Sequence, residues 1–182
     1  GDFISPEEFI PIAEKNGTIF SLGEYVLEQV CQLLSSINPE QYGISKIEIN
    51  LSVIQCMQDN IVEQIKQITE IYNTNRKYLN FEITETAAAY QQDTLLKTMD
   101  KLRDIGVEFS LDDYGSGHAT MEYMVDLPFD IIKIDKGIVW NAHRNPSTNV
   151  ALASTIAMIS DLGRKALAEG VETAEQAEWL KA

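Results

Sequence analysis

Hydrophobic and polar positions along the 182-residue chain repeatedly change period, and these changes predict strands separated by helices. Strand-like stretches, most of them with strict alternation, occupy residues 46–50, 79–84, 107–112, 129–135 and 166–169. Helical spacing of apolar residues predicts helices at 6–16, 21–36, 59–72, 93–105 and 147–162, and a last one after Thr173. Strands that alternate with helices in this way are typical of βα units and a parallel sheet.

End signals support several of the predicted helices. Ser5 followed by Pro6 predicts a helix start, and Gly17 predicts its end. Thr173 with Gln176 three residues later has the spacing of a capping box, which predicts the start of the last helix.

The strands differ from those of a doubly wound sheet, which read as continuous apolar runs because both faces are covered. In the third strand Val107, Phe109 and Leu111 share one face, and polar residues occupy the other. Because helices are expected to cover the apolar face of the sheet, the polar residues on its other face must point away from the helices. The lumen of a barrel fits this requirement. We therefore predict an α/β fold of the TIM-like (βα)8 barrel type, with five of eight strands evident.

Polar side chains collect where the strands end, on the rim that carries the active site in (βα) barrels. They are Asn50, Glu82, Asp112, Asp113, Lys133, Asp135 and Glu169. Converging carboxylates repel one another unless cations neutralise them, and oxygen ligands suit Mg²⁺, Mn²⁺ or Ca²⁺. The absence of His and Cys from this set disfavours zinc. The pattern predicts a metal-dependent site for a phosphorylated substrate.

Simpler interpretations exist for each residue taken singly. The Asp112-Asp113 stretch could be a turn with capping aspartates, and Asn50 could bond local backbone. Glu169 and Glu172 could be surface acids before a helix. Lys133 is harder to explain in this way, because a lone charge in an apolar strand needs a partner. The recurrence of polar groups on five successive strand ends favours the functional interpretation.

Composition narrows the classes of partner. The formal net charge is −14, and no basic run is present, so a nucleic-acid polymer is disfavoured as a partner. No signal peptide or spanning segment is evident, which predicts a cytoplasmic domain, although a membrane anchor elsewhere in the parent protein is compatible with it. Cys31 and Cys56 are expected to be buried thiols in a reducing compartment.

Six motifs resemble, in order, those of the EAL domain, a bacterial phosphodiesterase that hydrolyses cyclic di-GMP. They are FIPIAEKNG at 9–17, INLS at 49–52, FEITET at 81–86, LDDYGSG at 111–117, IKID at 132–135 and AEGVET at 168–173. They cover essentially the whole chain, and their joint occurrence is highly specific. The resemblance implies residues 1–182 form a single EAL-type domain.

The resemblance implies a role for each matching residue. The implied metal ligands are Asn50, Glu82, Asp112 and Asp113, with Asp113 serving a second metal. The implied catalytic set is Lys133, Glu169 and Glu85. Lys133 would contact the attacking water or the phosphate, Glu169 the metal–water network, and Glu85 would hold the loop after the aspartate pair.

The same resemblance implies cofactors, partners and regulation. Two Mg²⁺ or Mn²⁺ ions would bind the phosphodiester and activate a bridging water, and Ca²⁺ is expected to inhibit. The loop that follows Asp113 would couple metal binding to homodimer formation. Its coupling residues are Tyr114, Gly115, Ser116, Gly117 and Glu172. Fusion to an upstream regulatory or GGDEF-type domain is also expected.

The sequence departs from the EAL family pattern at several places, and these departures leave other functions open. The Glu-Ala-Leu strand with its arginine and the C-terminal Gln-Gly strand are absent, so we expect residues 1–182 alone to be nearly inactive. Tyr114 replaces a usual Phe, and residues 118–121 differ from the usual loop. The main alternative is a degenerate EAL domain that acts as a cyclic di-GMP receptor or protein-interaction module. A less supported alternative is an unrelated barrel enzyme that uses one metal ion to stabilise an enolate.

Overall fold

A computed structural model describes residues 4–88, 91–116 and 121–181. Its strands are β1 Ile47–Asn50, β2 Leu79–Thr84, β3 Glu108–Tyr114, β4 Ile131–Ile134 and β5 Lys165–Ala168. Its helices are α1 Pro6–Asn16, α2 Thr18–Ser36, α3 Val53–Cys56, α4 Ile61–Ile71, α5 Glu85–Ala88, α6 Gln92–Asp104, α7 Met121–Asp126, α8 Lys136–Arg144, α9 Pro146–Asp161 and α10 Ala174–Lys181. The predicted loop residues Gly117 and His118 lie outside the described residues.

The predicted helix ends are confirmed by their caps. The Ser5 hydroxyl accepts the Glu7 N–H, and Gly17 ends α1 with a φ of 84°, a backbone conformation that favours glycine. At α10 the capping box is reciprocal: the Gln176 N–H donates to Thr173 Oγ1, and the Thr173 N–H donates to Gln176 Oε1. These ends are local, which is why the sequence predicts them well.

The five predicted strands form a single sheet in the order β1-β2-β3-β4-β5. The pairs β3/β4 and β4/β5 are parallel. Strand order that follows the chain without a reversal is typical of (βα) barrels, whereas doubly wound sheets reverse at a switch point. The helix α8, directly after β4, differs from the sequence prediction: alternation extends the predicted strand to Asp135, whereas in the structure Asp135 caps this helix.

The described residues form two compact units. The first contains the chain up to Phe81 together with Asp93–Glu108, and its core includes Leu27, Cys31 and Ile65. In this unit Thr98 Oγ1 donates to the Cys56 carbonyl at 3.0 Å. Both cysteines are free and buried, as predicted.

The second unit contains Glu82–Gln92 and the chain from Phe109 onwards. Its core includes Phe109, Leu111, Ile132 and Ile159. Asp130 pairs with the Phe109 backbone in both directions: its carboxylate accepts the Phe109 N–H at 2.9 Å, and its own N–H donates to the Phe109 carbonyl at 2.8 Å. This contact fixes the relative position of β3 and β4, the two strands that carry the centre of the candidate site.

None of the helices in the described part of the chain is both long enough and apolar enough to span a membrane.

Candidate active site

The centre of the candidate site is Lys133, a buried residue of β4 that is 8% exposed. Its Nζ lies 2.5 Å from Glu82 Oε1, 2.9 Å from Asp112 Oδ1 and 2.9 Å from Glu169 Oε1. The three carboxylates come from β2, from β3 and from the residue that follows β5. Four neighbouring parallel strands therefore bring their polar side chains to one point, as the alternation of the sequence predicts.

The carboxylates determine the protonation of Lys133. Burial alone lowers the pKa of a lysine, but hydrogen bonds to Glu82, Glu169 and Asp112 outweigh burial and raise it above the ordinary value. Lys133 is thus a fixed positive charge at neutral pH. It donates protons in hydrogen bonds and does not act as a general base in this state.

A β-bulge brings the two adjacent aspartates to the same place. Leu111 pairs with Ile132 and Tyr114 with Ile134, so three steps along β3 match two steps along β4. Asp113, inside this bulge, has a φ of 57°, a sparsely populated conformation for a residue with a side chain. In a regular strand Asp112 and Asp113 would point to opposite faces, and the bulge removes that alternation.

Asp112, Asp113 and Glu169 each offer a carboxylate oxygen, and these oxygens lie within 4.8 Å of one another. Burial raises the pKa of Asp113, and the charges of Asp112, Glu169 and Asp135 raise it further, while Lys133 lowers it. Asp112 Oδ1 is buried and forms an ion pair with Lys133 Nζ at 2.9 Å. A close, repelling set of oxygen donors fits a hard divalent cation.

Glu85 occupies a different position from the lysine cluster. It is 1% exposed, and its Oε2 accepts the Gly115 N–H at 2.8 Å. Burial, and then the charge of Glu85, raise the pKa of Tyr114. Ser116 closes the turn by donating its N–H to the Asp113 carbonyl at 3.0 Å. Glu85 thus contacts the start of the loop that follows the aspartate pair.

Gly115 is required for that turn. Its φ is 91°, and a Cβ at this position would lie 2.0 Å from Ile138 Cδ1 of α8. A side chain would therefore be strained by the backbone and would also force the Ile138 side chain to move.

The structure also describes the predicted residues Asn50 and Glu172. Asn50 is an exposed residue at the end of β1 in the first unit, where it lines a small cavity with Gln55 and Phe81. Glu172 is exposed, and its N–H donates to Gln176 Oε1 at 2.8 Å, which places it at the start of α10. Gly117 lies outside the described residues.

Asp135 has a role that was not predicted. Its Oδ1 accepts the Gly137 N–H at 2.7 Å and so caps α8. Aspartate is a preferred residue at the position before a helix, but the alternation of β4 conceals this signal at Asp135.

Comparison with known proteins defines the class to which this fold and site belong. The EAL domain family matches residues 1–182, so the chain belongs to the EAL domain family. The resemblance that the six motifs indicate is thereby confirmed, and with it the α/β fold of the EAL type.

Individual relatives agree with this assignment. The chain is 33% identical over 178 residues to the bifunctional diguanylate cyclase/cyclic di-GMP phosphodiesterase MucR of Pseudomonas aeruginosa, covering 97% of the chain and 26% of that protein. It is 29% identical over 178 residues to the cyclic di-GMP phosphodiesterase NbdA of the same organism, covering 98% of the chain and 23% of that protein. The chain thus spans about a quarter of the length of these curated relatives.

The fold also matches solved structures. A structure described as the PaMucR phosphodiesterase in a cyclic di-GMP complex superimposes with a TM-score of 0.86 at 30% identity. The match covers 98% of this chain and 72% of that one.

Proposed function

We propose that this EAL domain is a metal-dependent phosphodiesterase that hydrolyses cyclic di-GMP to the linear dinucleotide. One observation carries the proposal: Glu82, Asp112 and Glu169 converge on the buried Nζ of Lys133, all three within 2.9 Å. Relatives that are named cyclic di-GMP phosphodiesterases support the choice of substrate. The activity of the whole protein is part of this proposal.

The charges of the site explain why a cation is needed for an anionic substrate. Three carboxylates, from Glu82, Asp112 and Glu169, contact one lysine, and the Asp113 carboxylate lies beside two of them, so four negative charges and one positive charge give a formal charge of −3. A phosphodiester adds a further negative charge and would be repelled. Asp112, Asp113 and Glu169 would hold the cation. With Mg²⁺ or Mn²⁺ bound, the metal would supply Lewis acidity and a water of lowered pKa.

Each residue of the chain has a distinct proposed task. Lys133, which is protonated and held by three carboxylates, would donate a hydrogen bond to the attacking water or to a phosphate oxygen. Glu82 would orient Lys133 and contribute to metal binding. For Asn50, the role of a neutral oxygen ligand rests on the family resemblance alone. Glu85 would fix the loop through the Gly115 N–H.

The further properties that the family resemblance implies are proposals of the same kind. They are a homodimer, coupling of metal binding to the loop after Asp113, a fused regulatory or GGDEF-type domain, a cytoplasmic location and inhibition by Ca²⁺. The name of MucR, a bifunctional cyclase and phosphodiesterase, supports the fusion. A single EAL-type domain, to which residues 1–182 contribute five strands, is proposed on the family match.

A hydrolysis assay tests the proposal. Residues 1–182 and the full-length protein are each incubated with cyclic di-GMP and Mg²⁺, Mn²⁺ or Ca²⁺, and the linear product is measured by chromatography. We expect turnover by the full-length protein with Mg²⁺ or Mn²⁺, almost none by residues 1–182, and loss of turnover in Asp112→Ala. If the protein binds cyclic di-GMP tightly but hydrolyses none of it with any of the three metal ions, it is a cyclic di-GMP receptor instead. If the full-length protein leaves cyclic di-GMP intact and Asp112→Ala changes nothing, the enzymatic proposal is wrong.

A further inference from the structure

Trp140, on α8, contacts the turn that follows β5. Its indole Nε1–H donates to the Gly170 carbonyl at 2.7 Å. The side chain of Trp140 is partly buried, and a tryptophan N–H that leaves water needs an acceptor. The bond joins α8 to the residue next to Glu169, one of the three carboxylates on Lys133.

The turn at Gly170 has no room for a side chain on the face that packs against α8. Gly170 has a φ of 68°, and a Cβ there would lie 2.4 Å from Lys136 Cβ and 3.1 Å from Trp140 Nε1. Lys136 in turn places its Nζ 5.9 Å from the centroid of the Trp140 ring. The turn therefore lies directly against the first turns of α8.

These contacts hold the backbone of Glu169 on both sides. The Glu169 N–H donates to the Ile134 carbonyl at 3.0 Å, and the Gly170 carbonyl accepts from Trp140. The Glu169 side chain is 28% exposed, more than the 8% of Glu82 and the 17% of Asp112. Of the three carboxylates that contact Lys133, Glu169 is thus the one that packing restrains least, and its position depends most on its backbone.

We propose that Trp140 is a positioning residue for Glu169: its hydrogen bond to Gly170 fixes the turn that holds the Glu169 carboxylate against Lys133 and within the set of cation-binding oxygens. The effect on turnover rests on the proposed phosphodiesterase function. The effect on cation binding does not rest on that function, because it requires only that Asp112, Asp113 and Glu169 bind a divalent cation together.

The test compares Trp140→Phe with Trp179→Phe in the full-length protein. Trp140→Phe keeps an aromatic ring but removes the N–H donor together with part of the indole surface, a loss of ring size that Trp179→Phe matches. Trp179 is the second tryptophan in these 182 residues, and its ring packs against His143, with centroids 5.2 Å apart. We expect Trp140→Phe to weaken Mn²⁺ affinity in calorimetry about fivefold, the change that one ordinary hydrogen bond produces. The kcat for cyclic di-GMP should fall while KM and the cation-free melting temperature change little.

A second pair of variants tests the turn itself. Gly170→Ala places a Cβ against Lys136, whereas Gly43→Ala has the same φ of 68° with nothing within 4 Å. Backbone strain is therefore matched, and only Gly170→Ala should weaken Mn²⁺ binding.

The outcomes separate this inference from the proposed function. Equal Mn²⁺ affinity and kcat in Trp140→Phe and Trp179→Phe would overturn it, as would a lower melting temperature with unchanged cation affinity. Weakened cation binding in Trp140→Phe, in a protein that leaves cyclic di-GMP intact, would support the positioning role and refute the phosphodiesterase. A protein that binds no divalent cation would refute both.

Discussion

Replacing Lys133 by methionine tests the electrostatic account of the site most directly. Methionine has a similar length and no charge, so Lys133→Met removes the positive group and leaves Glu82, Asp112 and Glu169 facing one another. The lysine side chain is 10% exposed and that of Glu82 is 8% exposed, so water screens this cluster poorly. Removing one partner of a buried ion pair costs about 3–5 kcal/mol.

That free energy converts into a measurable shift in melting temperature. In a domain of this size 1 kcal/mol corresponds to about 2–4 °C, so cation-free Lys133→Met should melt roughly 6–20 °C lower. The matched control is Lys46→Met. Lys46 lies 2.6 Å from Glu108, but the two side chains are 21% and 35% exposed, so its loss should cost less than about 1 kcal/mol.

The dependence on pH gives a second check. The carboxylates raise the pKa of Lys133 above its ordinary value of 10.5, so its stabilising contribution is fully present below that pH and is lost as the pH rises through the folded pKa. The difference in melting temperature between the parent and Lys133→Met should therefore stay constant from neutral pH up to about pH 10 and shrink only at higher pH.

Differential scanning calorimetry in the presence of a chelator measures both effects. Hydrolysis of cyclic di-GMP by the full-length protein should be lost in Lys133→Met and retained in Lys46→Met. If Lys133→Met melts within about 2 °C of the parent at neutral pH, the claim that Lys133 neutralises a buried carboxylate cluster is wrong.

Three further predictions concern single residues. Asp113→Asn removes one repelling charge, so it should raise the cation-free melting temperature and reduce the rise that Mn²⁺ produces; a full Mn²⁺ response would count against the assigned cluster. Glu85→Ala removes the acceptor of the Gly115 N–H, a charge-assisted bond of about 1.5–3 kcal/mol, so it should lower both thermal stability and turnover, and unchanged turnover would separate Glu85 from the site. Burial raises the pKa of Cys56 to about 12 from 9.0, so this thiol should resist iodoacetamide at pH 8 in the folded protein and react in urea. Its contribution to stability is present below pH 9 and is lost as the pH rises towards 12, by about 1.4 kcal/mol per pH unit; Cys56→Ala should remove that part of the pH dependence.

The sequence predicts the strands and the helix ends because both depend on local chemistry. Alternation over 79–84 and 107–112 follows from the pleat of a strand, and it locates β2 and the start of β3 within a residue or two. The caps at Ser5 and Thr173 depend on hydroxyl groups that reach backbone only two or three residues away. These features need no knowledge of the rest of the fold.

The bulge in β3 and the helix α8 follow from contacts between elements instead. Asp113 adopts a positive φ where β3 loses register with β4, and no residue type in the sequence marks that position. Asp135 alternates correctly with the residues of β4, but the structure uses it to cap α8. Alternation of polar and apolar residues describes the chain only as long as the strand continues, and packing between elements decides at which residue the strand ends.

By itself, then, the sequence determines the fold class and which residue types reach the strand ends, because side-chain period and composition are properties of the chain. The tertiary structure decides which of those residues meet. It places Glu82, Asp112 and Glu169 around Lys133, directs Asp113 to the same place through a bulge, and brings Trp140 against Gly170. The physical reason is distance along the chain: Glu82 and Lys133 are 51 residues apart, and only strand pairing joins them.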